Sequence, residues 1–350
     1  MISRLAQFLL SLASYEAIRK RFTRLYASSV ARFRKFMVCY FVALCSRVSG
    51  RYLHLIFDYT ALPLIKRDIL VVMVPFCGRG LPVYFEFLPK FSNANFSQNR
   101  FEVEFLRRIK KILKRHRVRK RVIVIWDRGF AKGFLFKNMP EGFYFVGRIR
   151  KHTGVLIKGK KWVIGETLSV GYGEVKYFRS VEYGLTHRVV CSLVGIWMCG
   201  QRGPWWLVSD LFVGKRTKRR RKEWRVIVRI YRERFWIEEG FKDLKNEVPL
   251  KDLQFSKNIL LKMEKVLVLL MIGYGIYYMV GVANDDLAKR FTSGKWKRGK
   301  EKRLSYFKLG LLVFVNNFNI SFLRIELCLW AIFSWRNIGR LVYLADSLRL

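Results

Sequence analysis

Five polar residues in one short stretch have the types and the spacing that phosphate chemistry requires. Residues 231–245 read YRERFWIEEGFKDLK, and as one helix they place the carboxylate of Glu238 beside a phenol and three cations, Tyr231, Arg234, Lys242 and Lys245. At about 100° per residue, the five side chains fall within an arc of roughly 80°. A carboxylate can hold a divalent cation while basic neighbours hold phosphates. The alternative is an ordinary amphipathic helix with solvent-exposed ion pairs.

Two further acids end predicted strands. Asp58 closes the run RYLHLIFD, and Asp127 follows RVIVIW directly. A sheet that carries two aspartates on neighbouring strands, with Glu238 on a helix packed against it, can gather three carboxylates around two divalent cations. Oxygen ligands of this kind favour Mg²⁺ or Mn²⁺. Each aspartate could instead be a turn or capping residue, since both precede turn-compatible sequence.

The composition of the chain indicates an anionic partner. The 350 residues carry 68 Lys+Arg against 25 Asp+Glu, a formal net charge of +43, and 51% of the residues are hydrophobic. That hydrophobic fraction excludes a disordered chain and allows a large core. So large a cationic excess would repel itself without a polyanion, of which nucleic acid is the first candidate and an acidic membrane surface the second.

Cysteine usage indicates a reducing compartment. The six cysteines form no CxxC pair, and none of the four histidines pairs with a cysteine at a zinc-site spacing. We therefore expect reduced cysteines in the core of a cytoplasmic protein. Residues 266–283 carry no charge over 18 residues, the lower limit for a membrane span, but we expect a buried core helix there and no membrane association.

The predicted elements fall into five segments. Continuous apolar runs such as 122–126 are typical of a sheet covered on both faces, which predicts an α/β fold. Short strands separated by glycine and lysine turns predict a β-rich insertion further along. The segments are 1–50, helical and basic; 51–149, the first part of the sheet-and-helix core; 150–225, the β-rich insertion with a cationic loop at 215–222; 226–290, the Glu238 helix and a core helix; and 291–350, helical.

The spacing Tyr231-x2-Arg234-x3-Glu238-x6-Lys245 resembles the YREK signature of DDE transposases of the insertion-sequence-four class. FDYT at Asp58 and WDRGF at Asp127 resemble the other two acidic blocks of that family. The similarity runs from about residue 50 to about residue 285. It implies an RNase H-like mixed sheet flanked by helices, with a β-rich insertion before the glutamate helix.

The same resemblance implies an activity and its residues. Members of the family cut DNA at transposon ends and join the free 3′ ends to a target. Asp58, Asp127 and Glu238 would be the catalytic triad and would hold two Mg²⁺ or Mn²⁺ ions. The residues that would bind double-stranded DNA at the transposon ends are Tyr231, Arg234, Lys242 and Lys245. A homodimer is implied in the active complex.

A tryptophan of the insertion stacks on a flipped base in this family. Trp205 or Trp206, in GPWWLVSD, fits that role by position, and a strand-core tryptophan is the alternative.

Other functions remain open on sequence grounds. About 50 residues precede the first acidic block, fewer than in a typical relative, which leaves a catalytically inactive DNA-binding remnant as one alternative. An RNase H-like nuclease would use the same three acids and differs in not joining 3′ ends to a target. A membrane protein would rest on residues 266–283 alone.

Overall fold

The computed structural model describes residues 20, 23–24, 27–62, 65–89, 97–130, 132–184, 187–213, 223–247, 259–284, 292–295, 301–303 and 305–310. Residues 1–19, the predicted cationic loop at 215–222 and most of the segment 291–350 lie outside this description. At the end of one helix, 242–247, the description covers the backbone, and the side chains lie outside it.

A mixed ten-stranded sheet forms the centre of the molecule, in the order β3-β2-β1-β4-β5-β10-β9-β8-β6-β7. Strands β4 and β5 run parallel to β1, and the other pairings are antiparallel. The strands are β1 Tyr52–Leu62, β2 Arg67–Phe76, β3 Arg79–Phe87, β4 Arg121–Trp126, β5 Phe143–Arg148, β6 Gly154–Ile157, β7 Lys160–Val163, β8 Val175–Tyr183, β9 Val189–Ile196 and β10 Trp205–Ser209.

Helices flank this sheet, and a small hairpin lies apart from it. The helices are α1 Val30–Arg47, α2 Gln98–Arg115, α3 Gly133–Lys137, α4 Glu223–Arg232, α5 Phe235–Glu247 and α6 Ile259–Ala283, and the hairpin pairs β11 Thr292–Lys295 with β12 Glu301–Arg303. The predicted fold class, a mixed α/β sheet flanked by helices, is confirmed. The short strands predicted between 150 and 225 are present, and β6–β10 extend the sheet that begins with β1–β5.

Alternation along β1 assigns the helices to two faces of the sheet. The ring of Phe57 contacts Phe105 of α2 edge to face, with centroids 5.7 Å apart, and Phe105 in turn lies 5.8 Å from Tyr84. Successive strand residues point to opposite faces, so Asp58 points away from α2. Its face is the one covered by α4 and α5, as the ion pair between Asp58 and Arg234 shows.

The predicted strand at Asp58 was too short. Strand β1 continues to Leu62 because β2 pairs with it antiparallel over this part, with Asp58 opposite Val71 and Leu62 opposite Arg67. The parallel pairing of β1 with β4 stops earlier, at Phe57 opposite Trp126. Asp58 therefore lies inside strand β1, where it is paired with β2, and directly after the last residue of β1 that pairs with β4.

The basic N-terminal helix is joined to the long apolar helix by a partly buried ion pair. Arg34 of α1 donates two hydrogen bonds to Glu264 of α6, at 2.5 and 2.9 Å, and Glu264 is 6% exposed. Part of the positive charge expected to face DNA is therefore structural.

The apolar helix α6 packs on α1 and on β3. The hydroxyl of Tyr278, on the same helix, donates to the carbonyl oxygen of Cys77. By length and composition alone, α6 is also long and apolar enough to cross a membrane.

Candidate functional site

The register of two parallel strands brings the two aspartates together. Phe57 and Trp126 form the last pair between β1 and β4, so the next residue on each chain, Asp58 and Asp127, leaves the ladder at the same edge. The carboxyl ends of neighbouring parallel strands meet there. Trp126 is held in place because it lies opposite Gly147 of β5, and a side chain at Gly147 would occupy the space of the indole.

The segment that bears Glu238 is not one helix, and the prediction of a continuous helix over 231–245 was wrong. Helix α4 ends at Arg232 and α5 begins at Phe235. Across the junction, the amides of Glu233, Arg234 and Ile237 each bond to the carbonyl three residues earlier, which is the tighter 3₁₀ pattern. Glu233 also pairs with His54 of β1, with 2.6 Å between oxygen and ring nitrogen, which ties the junction to the sheet.

All three predicted acids converge on one guanidinium at this junction. Nη2 of Arg234 lies 3.6 Å from Oδ2 of Asp58 and 3.4 Å from Oδ2 of Asp127. Nη1 lies 2.5 Å from Oε1 of Glu238. The Arg234 side chain is 12% exposed, whereas that of Glu238 is 55% exposed. Three carboxylates from two strands and a helix thus surround a single buried cation.

Helix α5 reaches this position through an unusually close approach to the sheet. A Cβ on Gly240 would lie 2.5 Å from the carbonyl oxygen of Gly80, and a Cβ on Gly80 would lie 3.2 Å from the Cα of Ile237. Glycines at both positions let the helix lie against the start of β3. Arg79 adds an ion pair to Glu239 at 3.4 Å. The sequence contained this signal, two glycines, but only the topology shows that they meet.

Charge and burial oppose each other at Asp58. Burial raises the pKa of its carboxyl above the ordinary range, Arg234 and the amide of Tyr59 act to lower it, and the neighbouring carboxylates add to the increase. For Arg234, burial lowers the pKa of the guanidinium, but Asp127, Tyr231, Asp58 and Glu238 together outweigh burial and raise it. The guanidinium is therefore fully charged at any pH at which the protein is folded.

Tyr231 has a different environment from the one expected of a phosphate ligand. It is fully buried, and its hydroxyl donates to Oδ1 of Asp127 at 3.2 Å. Burial, with the nearby negative charge of Asp127, raises the pKa of this phenol, so it stays a hydrogen-bond donor. In this arrangement Tyr231 orients Asp127 and does not face solvent.

The two predicted tryptophans differ in accessibility. Trp206 is 3% exposed and its ring packs over Gly195. Trp205 is partly buried; it stacks on Phe235 with centroids 5.4 Å apart and meets Tyr231 edge to face. Of the two, Trp205 is the more exposed. Sequence reasoning missed Phe235 as its support.

The two predicted lysines, Lys242 and Lys245, lie on α5. Lysine is not a ligand for Mg²⁺ or Mn²⁺, so whether the site could hold a metal ion depends on the carboxylates alone. The backbone of Lys242 and Lys245 is helical, and their side chains lie outside the described part. Within that part, no three His, Cys, Asp or Glu side chains form a group that could hold a metal ion as they stand. The donor set itself, three carboxylates around one cation, has the oxygen chemistry that Mg²⁺ and Mn²⁺ require.

Comparison with known proteins gives a distant structural likeness. No protein-family model matches this sequence, and no curated protein sequence matches it. Among solved structures, the chain is similar to that described as "Cryo-EM structure of piggyBac transposase synaptic complex with hairpin DNA (SNHP)". The TM-score is 0.40 at 15% sequence identity, over 88% of this chain. The match spans 59% of that transposase chain.

Proposed function

We propose that this chain is a DNA transposase that cuts strands at transposon ends and joins them to target DNA by metal-dependent phosphoryl transfer. The observation that carries the proposal is the convergence of Asp58, Asp127 and Glu238 on Arg234. Two strands and a helix, far apart in sequence, bring together the three acids that the resemblance assigns to the catalytic triad. An ordinary amphipathic helix would account for the i,i+4 pair of Arg234 with Glu238. It would not account for the contacts of the same guanidinium with two aspartates on the sheet.

The topology supports the same assignment. Strands β1–β5 lie in the order β3-β2-β1-β4-β5, with the first three antiparallel and β4 and β5 parallel to β1. This order and these directions are what we expect of the RNase H-like core that the resemblance implies. Strands β6–β10 come between β5 and the helix of Glu238, which is where the resemblance places an insertion. The boundaries 51–149, 150–225 and 226–290 are retained as proposals.

The proposed chemistry follows from the residues at the site. Asp58, Asp127 and Glu238 would hold two divalent cations, which supply an activated attacking oxygen and stabilise the leaving oxygen when bound. Tyr231 holds Asp127 in position through its hydroxyl. Arg234 would bind a DNA phosphate, as the resemblance implies.

The remaining DNA contacts rest on charge and exposure. Lys242 and Lys245 continue along α5, and Trp205 offers a ring to an unpaired base. The net charge of +43 supplies the non-specific phosphate affinity. As the resemblance implies, the active complex is a homodimer.

Single substitutions of the triad test the proposal. Asp58→Asn, Asp127→Asn and Glu238→Gln should each abolish excision from a donor plasmid in Mg²⁺ while end binding, measured by gel shift, persists. The matched control is Glu239→Gln, which changes the adjacent acid, paired with Arg79 rather than with Arg234. Excision retained by a triad variant, or lost equally in the control, would overturn the assignment.

The products separate this function from its alternatives. Recovery of 3′ ends joined to a target plasmid is expected of a transposase. Nicking without joining would instead identify an RNase H-like nuclease. Binding to DNA with no nicking in Mg²⁺ or Mn²⁺ would identify an inactive remnant.

A further inference from the structure

Arg234 occupies the space between the three acids, where cations would be needed for catalysis. Its two terminal nitrogens contact one oxygen each of Asp58, Asp127 and Glu238, at 3.6, 3.4 and 2.5 Å. A divalent ion bound by these carboxylates would use the same oxygen atoms. The guanidinium and the metal are therefore mutually exclusive at the two aspartates.

The pairing leaves the arginine incompletely satisfied. Its Nε is buried and, among the described residues, has no hydrogen-bond partner. One positive charge also faces three carboxylates, so the cluster keeps a formal charge of −2. Both features favour replacement of the guanidinium by ions of higher charge, with the arginine moving to an anion that also satisfies Nε.

The backbone at Arg234 allows such a movement. The residue lies between α4 and α5, in the turn with 3₁₀-type bonds. Short 3₁₀ stretches between helices often act as hinges. The guanidinium also lies 5.7 Å from the ring centroid of Phe235, the residue that supports Trp205.

We propose that Arg234 is a displaceable internal cation, which holds the three carboxylates together before divalent ions bind and passes to a DNA phosphate when they do. The proposal rests on the proposed function and adds a coupling to it. Metal binding frees the guanidinium for DNA, and DNA, by holding the guanidinium, frees the carboxylates for metal. Such coupling is reciprocal, so each ligand raises the affinity of the other by the same factor.

Titration calorimetry with Mn²⁺ tests the competition directly. In the absence of DNA, Arg234→Ala and Arg234→Gln should bind Mn²⁺ more tightly than the wild type, on the order of tenfold, within the range of measured coupling energies. The matched control is Arg229→Ala, which removes an exposed arginine from α4 and should leave the Mn²⁺ affinity unchanged. Unchanged or weaker binding in folded Arg234 variants would overturn the proposal.

A second measurement uses the wild type and does not depend on the folding of any variant. Adding a short duplex should tighten Mn²⁺ binding to the wild-type protein, and no tightening would contradict the coupling. In Arg234→Gln, the same duplex should have little effect on Mn²⁺ affinity.

The outcomes distinguish failure of this proposal from failure of the proposed function. If the wild type and the Arg234 variants bind Mn²⁺ equally, and Asp127→Asn abolishes that binding, the metal site stands and the competition is wrong. If no variant and no condition gives Mn²⁺ binding that depends on Asp127, the catalytic assignment itself fails. If Arg234→Gln binds Mn²⁺ more tightly than the wild type, and adding Asp127→Asn to that variant removes the binding, the result supports both the proposed function and the competition.

Discussion

The hydroxyl of Tyr231 donates to Oδ1 of Asp127 from 3.2 Å away, across 104 residues of sequence. This bond joins α4 to the residue that follows β4, and it reaches the oxygen of Asp127 opposite to the one that faces Arg234. Each carboxylate oxygen of Asp127 thus has a separate partner. The orientation of this aspartate is fixed on both sides.

Replacing Tyr231 by Phe should slow strand cleavage without preventing folding. The substitution keeps the buried ring and removes the donor, so Asp127 loses one of its two restraints. Hydrogen bonds to charged groups contribute about 1.5–3 kcal/mol, which corresponds to a rate loss of at least roughly tenfold if all of it is expressed in the transition state. Single-turnover cleavage of an end-containing duplex would measure it.

The matched control for that variant is Tyr177→Phe. Tyr177 lies on β8, three strands beyond β5 in the sheet. Its hydroxyl donates a hydrogen bond of 2.7 Å to Glu223, the first residue of α4. Both variants should lose some thermal stability, but the control should cleave at the wild-type rate. Equal cleavage rates in the two variants would show that Tyr231 has no positioning role.

Replacing Gly240 by Ala should move Glu238 away from the aspartates. The added methyl group would lie 2.5 Å from the carbonyl oxygen of Gly80, so α5 must shift outwards from β3. We expect a melting temperature lower by several degrees and a loss of cleavage larger than the loss of folded protein explains. Differential scanning calorimetry and the cleavage assay on the same samples provide the comparison.

Gly273→Ala makes the same chemical change in a different setting. Among the described residues, and apart from the neighbouring backbone of α6 itself, no atom lies within 4 Å of a Cβ at this position. Alanine is a better helix former than glycine by about 1 kcal/mol, so this variant should melt higher and keep its activity. A Gly240→Ala protein that behaves in the same way would contradict the close contact.

Trp205→Ala should weaken binding to DNA with an unpaired base near the cleavage position. Stacking of one base on an aromatic ring contributes about 1–3 kcal/mol. Trp205→Phe should keep part of that contribution and the packing on Phe235. Fluorescence of 2-aminopurine at the unpaired position would report stacking as quenching. Trp162→Ala, on β7, is the control, and equal quenching in Trp205→Ala would exclude the role.

Cysteine labelling tests the fold independently of function. Cys77 and Cys199 are exposed, whereas Cys39, Cys45 and Cys191 are buried. Burial raises the pKa of the Cys45 and Cys191 thiols, which lowers their reactivity further. Iodoacetamide should modify the first two in the native protein and the other three after unfolding. Peptide mass spectrometry reads the pattern, and rapid native labelling of Cys45 would contradict the packing of α1.

Local patterns in the sequence predicted most of the described strands. Apolar runs bounded by glycine or lysine turns placed β4 and the short strands between 150 and 225 within a few residues of their observed ends, because these signals are local. The fold class followed from the same runs. That β10 pairs with β5, so that all ten strands join one sheet, depends on distant contacts that no local pattern encodes.

The errors have tertiary causes. The helix over 231–245 breaks because Glu233 is drawn to His54 and Arg234 to the two aspartates, and these contacts outweigh local helix propensity. Trp205 and Trp206 are neighbours on a strand and must face opposite sides, but the sequence does not show which side is covered.

Because Phe57 pairs with Trp126 and successive β1 side chains alternate between the two faces, the site depends on the exact number of residues in β1 before Asp58. One residue inserted into β1 before Asp58 would keep every acidic block intact and turn the aspartate onto the face of Phe105, away from Arg234. Two inserted residues would restore the face but carry the carboxylate about 6.6 Å along the strand. Chimaeras with other chains should therefore be joined outside β1 and β4, where the count of residues can change without altering which side an acid faces.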